Sequence, residues 1–231
     1  DIICVQAESF VDMRHHYPAH VSADVFTHWD ATCANAWRHG RLQVPAWGAN
    51  TVRSEFAFLA GIAPAELGIH QFQPYELIGQ TPAHWWQGTL PARLKALGFS
   101  TTFMHPYAAH FYNRRRVLPK LGFDEFLDIK AFSARAPDKG YLSDPALGQA
   151  MLERLDQARH APQAPHPPGA SNSSDTPLFM HVVTMQGHGP YVGHNEGADR
   201  LLEGYLQCIR STDQMIGELT AALSKRDRPT V

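Results

Sequence analysis

Four polar residues stand where predicted structural elements begin or end. Glu8 follows an apolar run at residues 1–7, and His105 and His188 follow two later apolar runs. Thr51 lies in a turn just after Gly48 and opens a segment with helical spacing. In an open α/β sheet, ligands bind at the carboxyl ends of the strands. We therefore expect these four side chains to share one pocket.

Glu8 and Thr51 together predict a metal-assisted transfer reaction. A carboxylate is a hard metal ligand, and a hydroxyl at a helix start lies at the positive end of the helix dipole. This pair suits a phosphoryl or sulfuryl transferase with threonine as the nucleophile. Each residue also has a simpler interpretation: Glu8 as a solvated acid at a strand end, and Thr51 as a helix cap. A mononuclear metal site needs more hard ligands than these two.

Three successive arginines at 114–116 follow the aromatic and amide residues Phe111, Tyr112 and Asn113. A run of like charges is by default a solvated surface. Because this run follows a predicted strand, the alternative is that one arginine makes a bidentate contact with an anionic phosphate. The sequence leaves both interpretations open.

The composition is that of an ordinary globular protein. The 231 residues are 44% hydrophobic and 18% charged, with a formal net charge of -2, which gives no indication of a nucleic-acid partner. Cys4, Cys33 and Cys208 are too few and too scattered for a disulfide framework. The sequence contains neither an apolar stretch of about 20 residues nor a signal peptide. Because it begins within a predicted strand, we expect a piece of a longer protein, whose preceding part is a candidate for a membrane anchor.

Apolar patterns predict the elements that position these residues. Short continuous apolar runs predict buried strands at 1–7, 99–104 and 178–184, and the start of another at 229–231. Helical spacing predicts helices at 52–59, 90–97, 145–159 and 200–223, and proline and serine predict a surface loop at 161–177. We expect residues 11–50 to be irregular with short helices. The alternation predicts an α/β fold: a mainly parallel central sheet with helices on both faces, forming a single domain over 1–231.

Six short sequence blocks, which occur in the same order as in the family, resemble the lipoteichoic acid synthase and phosphoglycerol transferase family. That family belongs to the sulfatase branch of the alkaline phosphatase superfamily. The blocks run from residue 1 to about 220; alone each is weak, and together they are specific for the family but not for the substrate. They are Gln-Ala-Glu-Ser-Phe at 6–10, Asn-Thr-Val-Arg-Ser-Glu-Phe at 50–56, Phe-Tyr-Asn-Arg at 111–114, Leu-Gly-Phe-Asp at 121–124, His-Val-Val-Thr-Met-Gln-Gly-His-Gly-Pro-Tyr at 181–191 and Ser-Thr-Asp-Gln-Met-Ile-Gly at 211–217.

The resemblance implies a divalent metal, typically manganese, with magnesium or zinc as alternatives. In the family a glutamate, the nucleophilic threonine and a later Asp-His pair hold the ion, and Glu8 and Thr51 fall on the first two positions. The Asp-His pair follows the strand after the long helix, so we expect those two ligands beyond Val231. The resemblance thus implies a catalytic domain truncated at its C-terminus.

The resemblance also implies a substrate site. His105, Tyr112 and Arg114 fall on the positions that hold the glycerophosphate, and His188 matches a further histidine of the substrate pocket. Tyr112 departs from the family pattern, because the synthases carry tryptophan there. Arg115 and Arg116 match no such position.

The function implied is phosphotransfer from phosphodiesters of glycerophosphate-type lipids or glycans through a threonine nucleophile. The implied location is extracytoplasmic, at the bacterial inner membrane, with anchoring by helices outside this sequence. The alternatives are a phosphoethanolamine transferase, a phosphodiesterase, or a non-catalytic domain that binds anionic glycans or lipid headgroups. Water and a sugar hydroxyl both remain possible acceptors. Sulfate-ester hydrolysis is not expected, because no cysteine lies in the Cys-x-Pro-x-Arg sequence of type I sulfatases.

Overall fold

A computed structural model describes residues 1–46, 50–132, 140–160, 176–191 and 198–231, without the side chains of 159–160 and 198–199. These residues contain one sheet of four parallel strands in the spatial order β1-β4-β2-β3. The strands are β1 (Ile2–Gln6), β2 (Ser100–Met104), β3 (Glu125–Leu127) and β4 (Leu178–Val183). The predicted α/β fold with a mainly parallel sheet is therefore confirmed.

The helices of the described residues lie between and after these strands. Short 3₁₀ segments supplement them, among them Ala23–Phe26, Pro64–Phe72 and Phe111–Asn113. The α-helices are α1 (Thr27–Asn35), α2 (Val52–Ala60), α3 (Pro74–Gln80), α4 (Leu90–Ala96), α5 (Arg114–Val117), α6 (Asp144–His160) and α7 (Ala198–Leu223).

The central strand β4 shows why helices cover both faces of the sheet. All six of its residues are buried, and successive side chains of a strand point to opposite faces. Phe179 and Val183 pack with residues of α2, α3, α4 and α5, whereas Met180 and Val182 pack with residues of α6 and α7. A strand buried on both faces reads as a continuous apolar run, which is the pattern of residues 178–183.

The boundaries of the predicted strands and helices agree with those of the structure to within a few residues. Gly61 and Gly98 have positive φ angles of 67° and 92° and follow the ends of α2 and α4, as expected of glycines that stop helices. The segment 229–231 is not assigned as a strand. It nevertheless lies beside β1, since the Ile3 amide donates to the Val231 carbonyl at 2.7 Å and the Val231 amide donates to the Asp1 carbonyl at 3.0 Å. Residues 161–175 of the predicted surface loop lie outside the described residues.

Candidate active site at the carboxyl edge of the sheet

One cavity, which we call the main cavity, contains every site residue predicted from the sequence. It has a volume of about 390 Å³ and lies beyond the carboxyl ends of β1, β2 and β4. The structure thus brings together residues far apart in the chain, as expected for the ligand-binding edge of a parallel sheet. The predicted residues that line it are Glu8, Thr51, His105, Tyr112, Arg114 and His188.

Glu8 is held close to Thr51 by the turns around it. The Glu8 amide donates to the Thr184 hydroxyl at 2.9 Å. Gly187 packs against Glu8 so closely that a Cβ there would lie 2.2 Å from the Glu8 carbonyl oxygen. Burial raises the pKa of the Glu8 carboxyl, and His188, Ser9, Arg114 and a hydrogen bond from the Thr51 side chain oppose that increase. Burial therefore disfavours the ionised carboxylate, and a bound cation would stabilise it.

The Thr51 side chain does not act as a helix cap. Thr51 directly precedes α2 but has helical φ and ψ angles of -52° and -25°, and its side chain makes no capping hydrogen bond. The simpler interpretation of this threonine as an ordinary cap is therefore not what the structure shows. Its hydroxyl instead faces the main cavity and the Glu8 carboxylate.

Strained backbone is concentrated around the main cavity. Among the described residues, four that are not glycine have positive φ angles: Ser9 (54°), Asn50 (59°), Tyr112 (52°) and Asn113 (58°). The first three line the cavity, and the fourth follows Tyr112 directly. Such conformations cost on the order of 1–3 kcal/mol each and persist where the surroundings enforce them, often at functional sites.

Arg114 is the buried member of the arginine run. It begins α5 with 1% of its surface exposed, whereas Arg115 and Arg116 are exposed. The structure therefore separates the two interpretations of the run: Arg115 and Arg116 form a solvated surface, and Arg114 lies in the cavity wall. Its Nη1 is buried and has no hydrogen-bond partner. An unpaired buried donor of this kind is costly unless a ligand satisfies it.

Glu55 fixes the orientation of Arg114, a role that was not predicted from the sequence. Arg114 Nε donates to Glu55 Oε1 at 3.2 Å, and Nη2 donates to Oε2 at 2.8 Å. The Tyr75 hydroxyl donates to Oε1 at 2.5 Å. Although burial raises the pKa of Glu55, the charge and hydrogen bonds of Arg114 and the Tyr75 hydrogen bond outweigh it, so the pKa is lowered.

A signal for Glu55 was present in the sequence. Val52, Phe56 and Leu59 form the apolar face of α2. Glu55 lies three residues after Val52 and four before Leu59, so it falls on the same face of the helix. A carboxylate on an apolar helix face requires a buried partner, and that requirement could have drawn attention to Glu55.

The two cavity histidines have different environments. His105 is 3% exposed, and its Nδ1 lies 3.0 Å from the Val183 carbonyl, so Nδ1 carries the hydrogen and Nε2 is an acceptor. Burial first, and then the charge of Arg114, lowers the pKa of His105 to about 4, so its ring is neutral at pH 7. His188 is exposed, and its charge when protonated favours the ionised form of Glu8.

Tyr112 packs against the guanidinium group of Arg114. The Arg114 guanidinium carbon lies 5.3 Å from the centre of the Tyr112 ring, a cation–π distance. Burial raises the pKa of the Tyr112 hydroxyl. The left-handed backbone of Tyr112 positions the ring. Tyrosine replaces the tryptophan of the synthases here, and the cavity wall at this position is still aromatic.

The arrangement is suited to a tetrahedral anion attacked by a hydroxyl. Arg114 Nη1 can donate to an anionic oxygen, and Thr51 supplies the hydroxyl. Within the described ranges, no group of three or more His, Cys, Asp or Glu residues could hold a metal ion. Glu8 and Thr51 would thus supply two oxygen ligands, fewer than a divalent ion requires.

Comparison with known proteins assigns the family. A family model described as Sulfatase matches residues 1–231. The chain belongs to the Sulfatase family. The capsular polysaccharide biosynthesis protein RkpI of Rhizobium meliloti is 30% identical over 230 residues, which cover 99% of this chain and 39% of that relative. The chain thus spans less than half the length of RkpI.

Solved structures of other proteins show the same fold. The lipoteichoic acid synthase LtaP of Listeria monocytogenes superposes with a TM-score of 0.72 at 19% identity, covering 97% of this chain and 52% of that chain. The Streptococcus pyogenes phosphoglycerol transferase GacH, in complex with sn-glycerol-1-phosphate, superposes with a TM-score of 0.67 at 20% identity, covering 99% and 58%. At these identities the likeness establishes the fold alone. In the described part of this chain, none of the helices has the length and apolar character needed to cross a membrane.

Proposed function

We propose that the chain is the catalytic domain, or most of it, of a metal-dependent phosphotransferase that acts on phosphodiesters of glycerophosphate-type lipids or glycans. The observation that carries this proposal is that Thr51, Glu8 and Arg114, whose Nη1 has no hydrogen-bond partner, line one cavity. A nucleophile, a metal-ligating carboxylate and an anion-binding cation are thereby combined. The Sulfatase family assignment supports the same reaction class.

The Glu8–Thr51 pair fits part of a divalent metal site. Both side chains offer oxygen, and burial of the Glu8 carboxylate favours a nearby cation. We propose manganese, with magnesium or zinc as alternatives, and we place the remaining Asp and His ligands after residue 231. When bound, such an ion lowers the pKa of a ligating hydroxyl and so supplies an activated nucleophile.

The residues of the main cavity then have distinct roles. The Thr51 oxygen attacks phosphorus in line, the bond from phosphorus to the leaving alcohol breaks, and the Thr51 hydroxyl proton ends on that alcohol. The adduct, here called phospho-Thr51, is a phosphodiester of Thr51 that keeps the other alcohol group of the donor. Arg114 Nη1, held by Glu55, donates to a non-bridging oxygen, and His188 lies at the exposed side of the cavity. Neutral His105 offers Nε2 to a substrate hydroxyl. An acceptor hydroxyl or water then releases Thr51.

Substrate and location follow from the same proposal. The similar structures are a lipoteichoic acid synthase and a phosphoglycerol transferase with sn-glycerol-1-phosphate, and RkpI is a capsular polysaccharide biosynthesis protein. We propose an extracytoplasmic site at the bacterial inner membrane, a phospholipid or glycan phosphodiester as substrate and no nucleic-acid partner. Membrane anchoring would come from segments outside residues 1–231.

The test uses the full-length protein and fluorescent phosphatidylglycerol as a glycerophosphate-type donor. We expect release of the lipid product that requires added manganese and is lost in Thr51→Ala, with partial activity in Thr51→Ser, which keeps the hydroxyl. Ser54→Ala is the matched control, because Ser54 lies one helical turn away and does not line the main cavity. Full activity of Thr51→Ala, or equal activity of all forms in EDTA, would overturn the proposal.

A further inference from the structure

A second cavity adjoins the main cavity. It has a volume of about 350 Å³, and Tyr112 lines both cavities. Val52, which also lines it, is the residue after Thr51. The second cavity therefore lies next to the proposed nucleophile and shares Tyr112 with the main cavity. Its size is at the small end of the range for ligand pockets, about 300–1,000 Å³.

Besides Val52 of α2, two segments build this second cavity. Gln73 and Glu76 come from the start of α3, and His110 and Asn113 come from the segment around the 3₁₀ turn Phe111–Asn113. The Asn113 amide packs directly on α3, because a Cβ on Gly79 would lie only 2.8 Å from Asn113 Nδ2. A glycine in α3 and a left-handed asparagine thus allow the two elements to approach and form the cavity.

The charge of the side chains that line the second cavity differs from that of the main cavity. Among the described residues that line it, Glu76 is the one carboxylate and none is a lysine or arginine, whereas Arg114 lines the main cavity. A second phosphate would therefore face a carboxylate without a compensating lysine or arginine, which disfavours binding. An uncharged ligand with many hydroxyl groups would not meet this penalty.

The lining chemistry suits a sugar ring. The side chains of Gln73, Glu76, His110 and Asn113 supply hydrogen-bond donors and acceptors for hydroxyl groups. Tyr112 contributes an aromatic ring, which offers a flat apolar face to the carbon-bound hydrogens of a sugar. Gln73, Glu76 and His110 are exposed, so a longer glycan can enter from solvent.

We propose that the second cavity is the subsite for an uncharged sugar unit of a glycan acceptor, which places one sugar hydroxyl beside phospho-Thr51. This inference rests on the proposed function. In the transfer step the sugar oxygen forms a bond to phosphorus and the bond from phosphorus to the Thr51 oxygen breaks. The hydroxyl proton of the sugar ends on Thr51, so the enzyme is restored and the sugar phosphodiester is released.

The test measures how phospho-Thr51 partitions between acceptors in the full-length protein. Phosphatidylglycerol is the donor, methyl β-D-glucoside is the sugar acceptor, and water and free glycerol are the small acceptors. We expect the double variant Gln73→Ala/Glu76→Ala to lower the ratio of glucoside transfer to hydrolysis about tenfold, since it removes the side chains that hold the sugar. The ratio of glycerol transfer to hydrolysis should change much less.

The matched control is Gln80→Ala, an exposed residue at the other end of α3 that lines neither cavity. It should leave both ratios at the wild-type values. The inference is overturned if the wild-type protein prefers glycerol to the glucoside, or if the double variant lowers transfer and hydrolysis equally. Absence of both donor turnover and phospho-Thr51 would instead overturn the proposed function, and the subsite with it.

Discussion

The buried ion pair between Glu55 and Arg114 can be broken by a nearly isosteric change, Glu55→Gln. Glu55 is fully buried and Arg114 is 1% exposed. Removing one charge from a buried pair costs about 3–5 kcal/mol, because the remaining charge stays buried without a partner. Glutamine keeps one acceptor oxygen, so we expect a loss in the free energy of unfolding of about 3 kcal/mol, the lower end of that range. That is a large part of a typical total of about 5–15 kcal/mol.

The same change should reduce activity. In the variant Arg114 loses one of the two hydrogen bonds that orient it, and a misplacement of about 1 Å in a catalytic site can cost about 100-fold. Urea unfolding measures the stability, and kcat/KM for a phosphodiester, measured on the full-length protein under conditions where the variant is folded, measures the activity. Glu66→Gln, an exposed glutamate in the 3₁₀ segment before α3, is the control. A variant with wild-type stability and wild-type kcat/KM would refute the reasoning.

Two further predictions concern the buried His181 and the half-buried Lys120. Both ring nitrogens of His181 are buried without a partner, and burial lowers its pKa to about 4. The unfolded chain binds this proton near pH 6.5 and the folded chain only near pH 4, so the free energy of unfolding should fall as the pH is lowered between these values, by up to about 1.4 kcal/mol per pH unit. His181→Leu should remove this contribution when urea unfolding is compared at pH 7 and pH 5. An unchanged pH dependence in the variant would refute the prediction. Lys120 Nζ donates to the carbonyls of Ile78, Gly79 and Thr81 at the end of α3, at 3.0, 2.8 and 2.6 Å. Lys120→Met should cost about 1–2 kcal/mol in thermal unfolding, whereas the exposed Lys130→Met should cost little; equal losses would argue against the capping role.

The sequence predicted those parts of the fold that depend on local patterns. Continuous apolar runs identified β1, β2 and β4, and apolar residues that recur about every 3.6 positions identified α7. These patterns arise because a strand buried on both faces is apolar throughout, whereas a helix buried on one face is apolar on that face only. The three-residue strand β3 was not predicted, since its residues are only partly buried and so short a run has no recognisable period. The short helix α3 was also not predicted.

The candidate site was predictable as a set of positions but not as a set of contacts. The ends of the strands placed Glu8, His105 and His188 at one edge, and the family resemblance distinguished Arg114 from its neighbours. The contact of Arg114 with Glu55 joins residues 59 positions apart, and they come together because α2 and α5 both pack against α3. The direction of the Thr51 hydroxyl likewise depends on backbone angles that the sequence does not reveal.

The central claim is that Thr51 is the nucleophile, and trapping its adduct tests that claim most directly. The full-length protein would be incubated with a phosphodiester, quenched in acid, digested and examined by mass spectrometry. We expect a phosphate-containing adduct on the peptide that carries Thr51, absent from Thr51→Ala and present in Ser54→Ala. Turnover of the donor by Thr51→Ala at the wild-type rate, with no adduct on Thr51 in the wild-type protein, would contradict it.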